Sequence, residues 1–470
     1  MSETTSLTAD ADSPASPQNG RARTVSFAEA FRVWVRVALL SFGGPAGQIA
    51  VMHRILVEEK RWIDENRFLH ALNYCMFLPG PEAQQLAIYI GWLLHRTAGG
   101  LVAGILFVLP GFVSILVLSI LYADYQEISM VQALFFGLTP AVLAVVVQAV
   151  IRIGSRALKN GVMVGLAAVA FIGIFFFQVP FPIIIIGAGL VGYIGGRIWP
   201  DTFYVIRAHG DTSGGNVDSD VVYQGEIHMH PSIRRAVRIT ALCLTLWFTP
   251  LIVLSLTLGM DNIFTQLGIF FSKVAVVTFG GAYAVLAYIA QQAVNTYGWL
   301  QPGEMLTGLG MAETTPGPLI QVVQFVGFLG AYRDAGMLDP LWAGVLASVL
   351  VTWVTYVPCF LYIFLGAPYI EALRGNKALS TTLSGITAAV VGVVLNLAVW
   401  FALHTVFGKV YEQHAFGMRL LIPVWDTLRP VPLIIAACAM IALLRFKLGM
   451  IPTLLGSALV GMGYYLIAIA

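Results

Sequence analysis

Residues 314–321 read TTPGPLIQ and residues 78–85 read LPGPEAQQ, so the tripeptide Pro-Gly-Pro stands twice in the middle of an apolar run. Proline lacks the amide hydrogen a helix needs and collides with the preceding turn, while glycine tolerates backbone that other residues avoid. Both runs must therefore leave helical geometry at these points. The surroundings are a bilayer, because 58% of the residues are hydrophobic, only 11% are charged and the mean hydropathy is +0.82, far outside the range of a soluble domain. In lipid, interrupted backbone is viable only where protein buries it or it lines a wet cavity. Two breaks of one kind in such a chain mark a common central site.

At roughly 20 apolar residues per crossing, the sequence predicts an all-α polytopic membrane protein with about 13 transmembrane helices. The apolar segments lie near 31–55, 68–94, 99–122, 130–150, 161–178 and 181–197, then 238–259, then 264–292, 305–331, 338–364, 380–404, 430–445 and 450–469. The long first segment of each half reads equally as a simple span or as a re-entrant hairpin. SFGG at 41 aligns with TFGG at 278 in the same ungapped register that superposes the two Pro-Gly-Pro tripeptides, and this register also pairs Trp62 with Trp299, Gln84 with Gln321 and Arg36 with Lys273. A later register pairs Pro110 with Pro358, Gly137 with Gly385 and Thr139 with Thr387, and GAGLVG at 187 matches GSALVG at 456. The chain is an internal duplication. Six segments, one linking segment and six more make the second half enter the membrane from the opposite side, the inverted-repeat plan of many secondary transporters.

The domain reading follows: residues 1–25 a disordered tail without a secretory signal, 26–198 the first repeat, 199–237 a flexible cytoplasmic linker, 238–260 the linking helix and 261–470 the second repeat. Lys and Arg favour the cytoplasmic side of short loops. Arg96, Arg152, Arg156, Lys159, Arg197, Arg234, Arg235, Arg238, Arg374, Lys377, Arg445 and Lys447 fall on the side of the N-terminus, which is thereby expected inside. The mixed loops 54–67 and 404–430 are expected on the far side.

Several classes are excluded. No basic stripe with interleaved aromatics is present, so no nucleic-acid partner is expected. Cys75, Cys243, Cys359 and Cys438 lie far apart, and His228 with His230 lacks further ligands, so neither a metal site nor a cofactor is expected. Walker, H-E-x-x-H and G-x-S-x-G motifs are lacking, which argues against an ATP-driven pump and leaves an intramembrane enzyme as a remote alternative. A channel is a further rival, although duplicated broken helices favour alternating access.

The breaks supply the candidate site. A half-helix restarting at Pro81 or Pro318 aims free amide groups and the positive end of its dipole at the break, where an anion can bind. Pro79, Gly80 and Pro81 with Pro316, Gly317 and Pro318 are its expected walls, facing one another across the pseudo-symmetry axis. Ser41, Gly43 and Gly44 with Thr278, Gly280 and Gly281 form matching glycine-rich weak points, read either as close packing or as exposed backbone. Arg36 and Lys273, each five residues before those motifs, are intramembrane cations and hence functional candidates. Gln84 and Gln321 can donate to an oxyanion without adding charge. Glu82 and Glu313 are candidates for proton coupling, with Glu82 also placed to complement the first half-helix dipole.

Taken together, SFGGP at 41, LPGPEAQQLAIYIGWLLHR at 78 and GMAETTPGPLIQVVQFVGFLGAY at 310 resemble the signature regions of the chromate ion transporter family, and the resemblance covers about 26–470. It is similar to the long, two-repeat type. The resemblance implies chromate efflux across the bacterial inner membrane by a multi-pass protein, with sulfate as analogue or competitor; the lipid bilayer is a further partner, and the oligomeric state, with a homodimer among the alternatives, is open. The paired FGG and PGP regions carry over onto Ser41 to Pro45, Pro79 to Pro81, Thr278 to Gly281 and Pro316 to Pro318. The family's histidine shortly after FGGP is here Gln48. A permease for sulfate or another tetrahedral oxyanion, including proton-coupled uptake, is the rival reading within the class.

Overall fold

A computed structural model describes residues 25–125, 128–203, 232–279, 282–301, 303–369 and 377–468. The expected tail up to residue 24, most of the polar linker with His228 and His230, and Gly280, Gly281 and Arg374 lie outside the described residues.

The first half begins with α1 (Phe27–Leu40), capped by the Ser26 hydroxyl accepting from the Glu29 amide at 3.2 Å. The helix ends where the Ser41 hydroxyl donates back to the Val37 carbonyl at 2.6 Å and Gly43 and Gly44 take left-handed backbone, φ 85° and 68°. The chain then reverses into α2 (Gly44–His53) and a π-turn, Arg54–Glu59. Lys60 returns to within 3.2 Å of Glu29, and Arg36 pairs with Glu59 at 2.7 Å, so the segment is a hairpin whose two ends share one side. The same happens in the next segment. Asp64 caps α3 (Glu65–Phe77), the chain breaks at Pro79–Pro81, and the first arm of α4 (Glu82–Tyr125) brings His95 back to the Val25 carbonyl at 2.8 Å. At His95 and Arg96 the helix leaves α geometry and folds on itself, so that a Cβ on Gly91 would meet the Gly99 carbonyl and the Ala103 side chain. The second arm of α4 crosses the bundle, followed by α5 (Ser129–Ala157), α6 (Gly161–Phe175), α7 (Phe181–Ile198) and the short α8 (Pro200–Phe203).

After α9 (Ile233–Leu258) the order repeats as α10 (Ile263–Val277), α11 (Ala282–Gln291), a π-turn at Gln292–Thr296, α12 (Glu304–Thr314), α13 (Val322–Arg333), α14 (Pro340–Gly366), α15 (Lys377–Val406), α16 (Pro430–Leu444) and α17 (Met450–Ala468). Even the hydroxyl brace recurs, with Thr278 donating to the Val274 carbonyl at 2.6 Å. The start and end of the second broken hairpin are clasped by a bidentate pair, Arg333 to Glu304 at 2.6 and 2.7 Å, which also receives the Tyr122 hydroxyl at 3.1 Å.

All thirteen expected apolar segments are helical, and the fold is an all-α polytopic membrane protein of two related halves. Segments 31–55, 68–94, 264–292 and 305–331 are hairpins broken at their tips. Parity is unaffected, because two hairpins per half replace two crossings, and the halves remain inverted. One expectation changes. The 54–67 loop lies beside Glu29, on the side of the N-terminus, because the turn at Ser41–Gly43 reverses the chain. Its Lys and Arg residues thus join the basic side.

Helices α5 and α15 hold the centre of the bundle and are mostly buried, whereas α9 is largely exposed, as expected of a lipid-facing helix. The second half carries one addition, a β-hairpin within the 404–430 loop: β1 (Val410–Ala415) pairs antiparallel with β2 (Met418–Pro423). Its turn residues Phe416 and Gly417 have φ 54° and 75°, the two left-handed positions a type I′ turn requires.

Gly317 combines φ 108° with a tight position: a Cβ there would come within 3.0 Å of the Gly111 Cα. Gly317→Ala should destabilise the protein by about 2–4 kcal/mol in detergent thermal unfolding, whereas Gly336→Ala, also at positive φ but in open space, should cost about 1 kcal/mol. Equal losses at the two positions would contradict the packing described.

Candidate functional site

Each broken tip leaves amides and carbonyls that lipid cannot satisfy. The structure satisfies them across the pseudo-symmetry axis: the Gly317 amide donates to the Ser41 carbonyl at 2.9 Å, and the Gly80 amide donates to the Thr278 carbonyl at 2.7 Å. The Pro-Gly-Pro turn of each half is thus held by the glycine-rich turn of the other, so the pairing runs from PGP to FGG and back. Each turn also packs on the opposite long helix, Gly317 against Gly111 and Gly80 against Cys359, which are equivalent positions. Side chains reinforce the clasp. The Gln48 amide donates to the Gly317 carbonyl at 2.5 Å, at the position where the resembled family has histidine, and Gln85 donates to the Pro79 carbonyl at 2.7 Å.

Beside this clasp lies a carboxylate. Glu313, fully buried in the last turn of α12, accepts a hydrogen bond from the Tyr283 hydroxyl through one oxygen; its other oxygen has no partner. That second oxygen faces Gly44, where a Cβ would lie 3.8 Å away. A cavity of about 300 Å³ reaches this place from the basic side of the bundle. Gly43 and Tyr283 line its inner end, Gln148 and Arg152 of α5 one wall, and Lys447 with the α16–α17 turn another. Arg152 is close enough to act electrostatically on both Tyr283 and Glu313. The result is a pocket lined by two cations, the half-buried Gly43 and a phenol, with a buried acid behind the phenol, a set suited to an anion whose charge is balanced by cations and a movable proton.

The expected site residues separate into groups. Ser41, Thr278, Pro79, Gly80, Pro81, Pro316, Gly317 and Pro318 come together at the clasp; Gly43 and Gly44 stand between it and the cavity; Gly280 and Gly281 lie outside the described residues. Glu82 is partly buried in the first turn of α4, complementing the helix dipole. Arg36 and Lys273 are not in the site. Arg36 is half-exposed and snorkels back to Glu59, and Lys273 is exposed on the face of α10 away from the breaks. Position within an apolar segment had suggested depth, but the hairpin fold turns both side chains outward. Arg152, Lys447 and Tyr283 went unmarked because the first two look like ordinary basic-side loop charges and a lone Tyr in an apolar helix carries no signal; only the fold brings them together.

Gln84 and Gln321, equivalent by sequence, differ in surroundings. Gln321 is saturated: its amide nitrogen donates to Gln324 at 2.5 Å and to the Thr352 hydroxyl at 3.2 Å, and its oxygen accepts from Tyr356 at 2.7 Å. Gln84 is equally buried, yet neither its nitrogen nor its oxygen has a partner.

Inverted halves, four hairpins meeting at their tips and a cation-lined cavity define an internally duplicated, multi-pass α-helical membrane protein. The family described as "Chromate transporter" matches this sequence over residues 28–193 and 265–462, one region per repeat. The chain belongs to that family. It is 30% identical over 382 residues to a chromate transport protein of Pseudomonas aeruginosa, covering 79% of this chain and 80% of the relative. To a chromate transport protein of Cupriavidus metallidurans it is 25% identical over 452 residues, covering 93% of this chain and 99% of the relative. A probable chromate transport protein of Synechococcus elongatus is 24% identical over 430 residues, 86% of this chain and 92% of that one. No solved structure matches the chain.

Removing a saturated buried amide strands its partners, whereas removing an orphan strands nothing. Gln321→Leu should therefore cost about 2–3 kcal/mol in thermal unfolding, and Gln84→Leu should be neutral or stabilising by about 1 kcal/mol. A comparable loss in both would mean that Gln84 has a partner after all.

Proposed function

We propose that the protein is a secondary transporter that carries chromate, a tetrahedral oxyanion dianion, out of the cytoplasm across the bacterial inner membrane and so confers chromate resistance. The observation that carries this reading is the cavity between Arg152 and Lys447 that ends at Gly43 and Tyr283, with Glu313 hydrogen-bonded behind Tyr283, in a member of the chromate transporter family. Its 300 Å³ is far more than the roughly 10–15 Å³ one water needs, so a hydrated oxyanion has room. The relatives from Pseudomonas aeruginosa and Cupriavidus metallidurans, whose names specify chromate, support the substrate. Orientation rests on the basic side, which the 54–67 loop now joins, being cytoplasmic.

Energetics favour export. Moving one charge through 100 mV is worth about 2.3 kcal/mol, so a dianion leaving an inside-negative cell gains roughly 4.6 kcal/mol without ATP. A buried carboxylate beside an anion repels it, and Glu313 therefore holds a proton while the oxyanion is bound; the Tyr283 hydroxyl keeps the acid in place. Glu82 acts as the partner of its helix dipole. Sulfate shares charge and shape with chromate and competes for the same cavity. Nothing in this scheme calls for bond-making chemistry, and the protein acts as a carrier, not an enzyme.

Everted inner-membrane vesicles turn cellular efflux into uptake, and radiolabelled chromate should accumulate in them, driven by the vesicle potential and reduced by sulfate. Arg152→Gln or Lys447→Gln should lower the uptake efficiency about tenfold, the worth of ~1.4 kcal/mol of charge contact, while Arg36→Gln and Lys273→Gln stay within about twofold of wild type. Glu313→Gln should leave potential-driven uptake but remove its response to a protonophore added at fixed potential. No accumulation above empty vesicles, with the protein shown to be inserted, would sink the proposal.

A further inference from the structure

The repeat that relates the halves also maps the inner cavity onto a second place at the opposite end of the molecule. Gln148, Ala149 and Arg152 of α5 correspond to Asn396, Leu397 and Trp400 of α15. The α16–α17 turn that carries Lys447 corresponds to the α6–α7 turn that carries Gln178, and both residues have the same left-handed backbone, φ 52°. At this second place is a small cleft lined by Ala290, Gln291, Asn396, Trp400 and Arg419, with about 10 Å³ of free volume, enough for about one water. The inner cavity is open and its counterpart is shut.

What shuts it is the β-hairpin, an element of the second half without an equivalent among the described residues of the first. The Arg419 amide donates to the Phe176 carbonyl at 2.6 Å, and its guanidinium reaches the Phe175 carbonyl at 3.4 Å. With the amide oxygen of Gln178 turned towards it, that side chain accepts from Nε at 3.3 Å and Nη1 at 3.2 Å. Arg419 is only 3% exposed, and its hydrogen-bond acceptors are all neutral. Among the described residues no carboxylate forms an ion pair with it; Glu412 of β1 acts on it only electrostatically, from beyond ion-pair distance. Beside it, the Asn396 side-chain oxygen is buried without a partner. A desolvated guanidinium is costly unless an anion joins it, and its planar fork of donors matches an oxyanion. The hairpin has thus brought a cation to the place where the repeat itself has Trp400 instead of arginine and Gln178 instead of lysine.

We propose that Arg419, with Gln291 and Asn396, forms a second oxyanion subsite on the outward side, the counterpart of the inner cavity, which takes the dianion when the outer cleft opens and the inner one closes. The inference rests on the transport function proposed above. In the present conformation the hairpin and the α6–α7 turn hold the subsite closed, with backbone carbonyls standing in for the anion.

The test separates the two faces of the membrane. In everted vesicles chromate meets the inner cavity; in right-side-out vesicles, chromate or sulfate added outside competes for the outer subsite during exchange with labelled chromate inside. Arg419→Gln should raise the external half-saturation concentration about tenfold and leave the inner-face KM unchanged, with Arg419→Lys intermediate. Asn396→Leu, which removes an amide whose oxygen has no partner, should shift the external constant in the same direction and serves if Arg419→Gln fails to fold. An unaltered external constant in both variants, or inner and outer constants weakening together, overturns the subsite. Wild-type protein that moves no chromate from either face overturns the proposed function, and this inference with it.

Discussion

Two backbone hydrogen bonds, from Gly317 to Ser41 and from Gly80 to Thr278, hold the centre of this protein together. Four helical hairpins enter the bundle and stop inside it, and in lipid each unsatisfied amide or carbonyl at a hairpin tip would cost several kcal/mol. The Pro-Gly-Pro turn of each half offers an amide, and the carbonyl that accepts it belongs to the glycine-rich turn of the other half. Crossing the tips between inverted halves offsets that cost. The same crossing sets backbone, glycine φ angles and the buried Glu313 at one point, so the site is a by-product of the requirement that lets the fold exist.

Duplication then permits asymmetry. Gln84 and Gln321 hold equivalent positions, but only the second has a hydroxyl and amide network around it. Glu304 and Arg333 clasp one broken hairpin, whereas the equivalent positions hold Arg67 and Arg96. Glu313 has Met76 as its counterpart, and the β-hairpin has none. These differences fall at equivalent positions of the two halves, so the two copies of the repeat have diverged in their buried polar groups. In inverted-repeat transporters generally, alternating access is a rocking of one repeat against the other around a fixed site.

The fold was largely legible in the sequence because the constraints that produce it act locally: apolar segment length, the Pro-Gly-Pro breaks and the register pairing Trp62 with Trp299 need no knowledge of distant contacts. The reversal at Ser41–Gly43 was legible only as an alternative, since a glycine-rich weak point in an apolar run allows either a kinked span or a hairpin. The outcome shows in ion pairs between residues far apart, Lys60 with Glu29 and Arg36 with Glu59, which no local pattern announces. Of the candidate site, the glycines, prolines and Glu313 stand out in the sequence, and Arg152 and Lys447 do not. Arg36 and Lys273 stand out in apolar surroundings yet face outward, whereas Arg152 and Lys447 resemble loop charges until α5 and the α16–α17 turn converge. The β-hairpin escaped for a related reason: its alternating residues sit in a chain whose composition speaks only of helices.

Ala149 and Leu397 are equivalent residues, one lining the open inner cavity and the other the closed outer cleft. In a protein freed of its native cysteines, Ala149→Cys and Leu397→Cys report on the two ends with a membrane-impermeant thiol reagent. At rest, Ala149→Cys should react from the cytoplasmic face and Leu397→Cys from neither face. During chromate turnover Leu397→Cys should become reactive from the outer face as Ala149→Cys becomes protected. Equal labelling of both from one face, or an outer cleft as open at rest as the inner cavity, would contradict two exchangeable, oppositely facing halves.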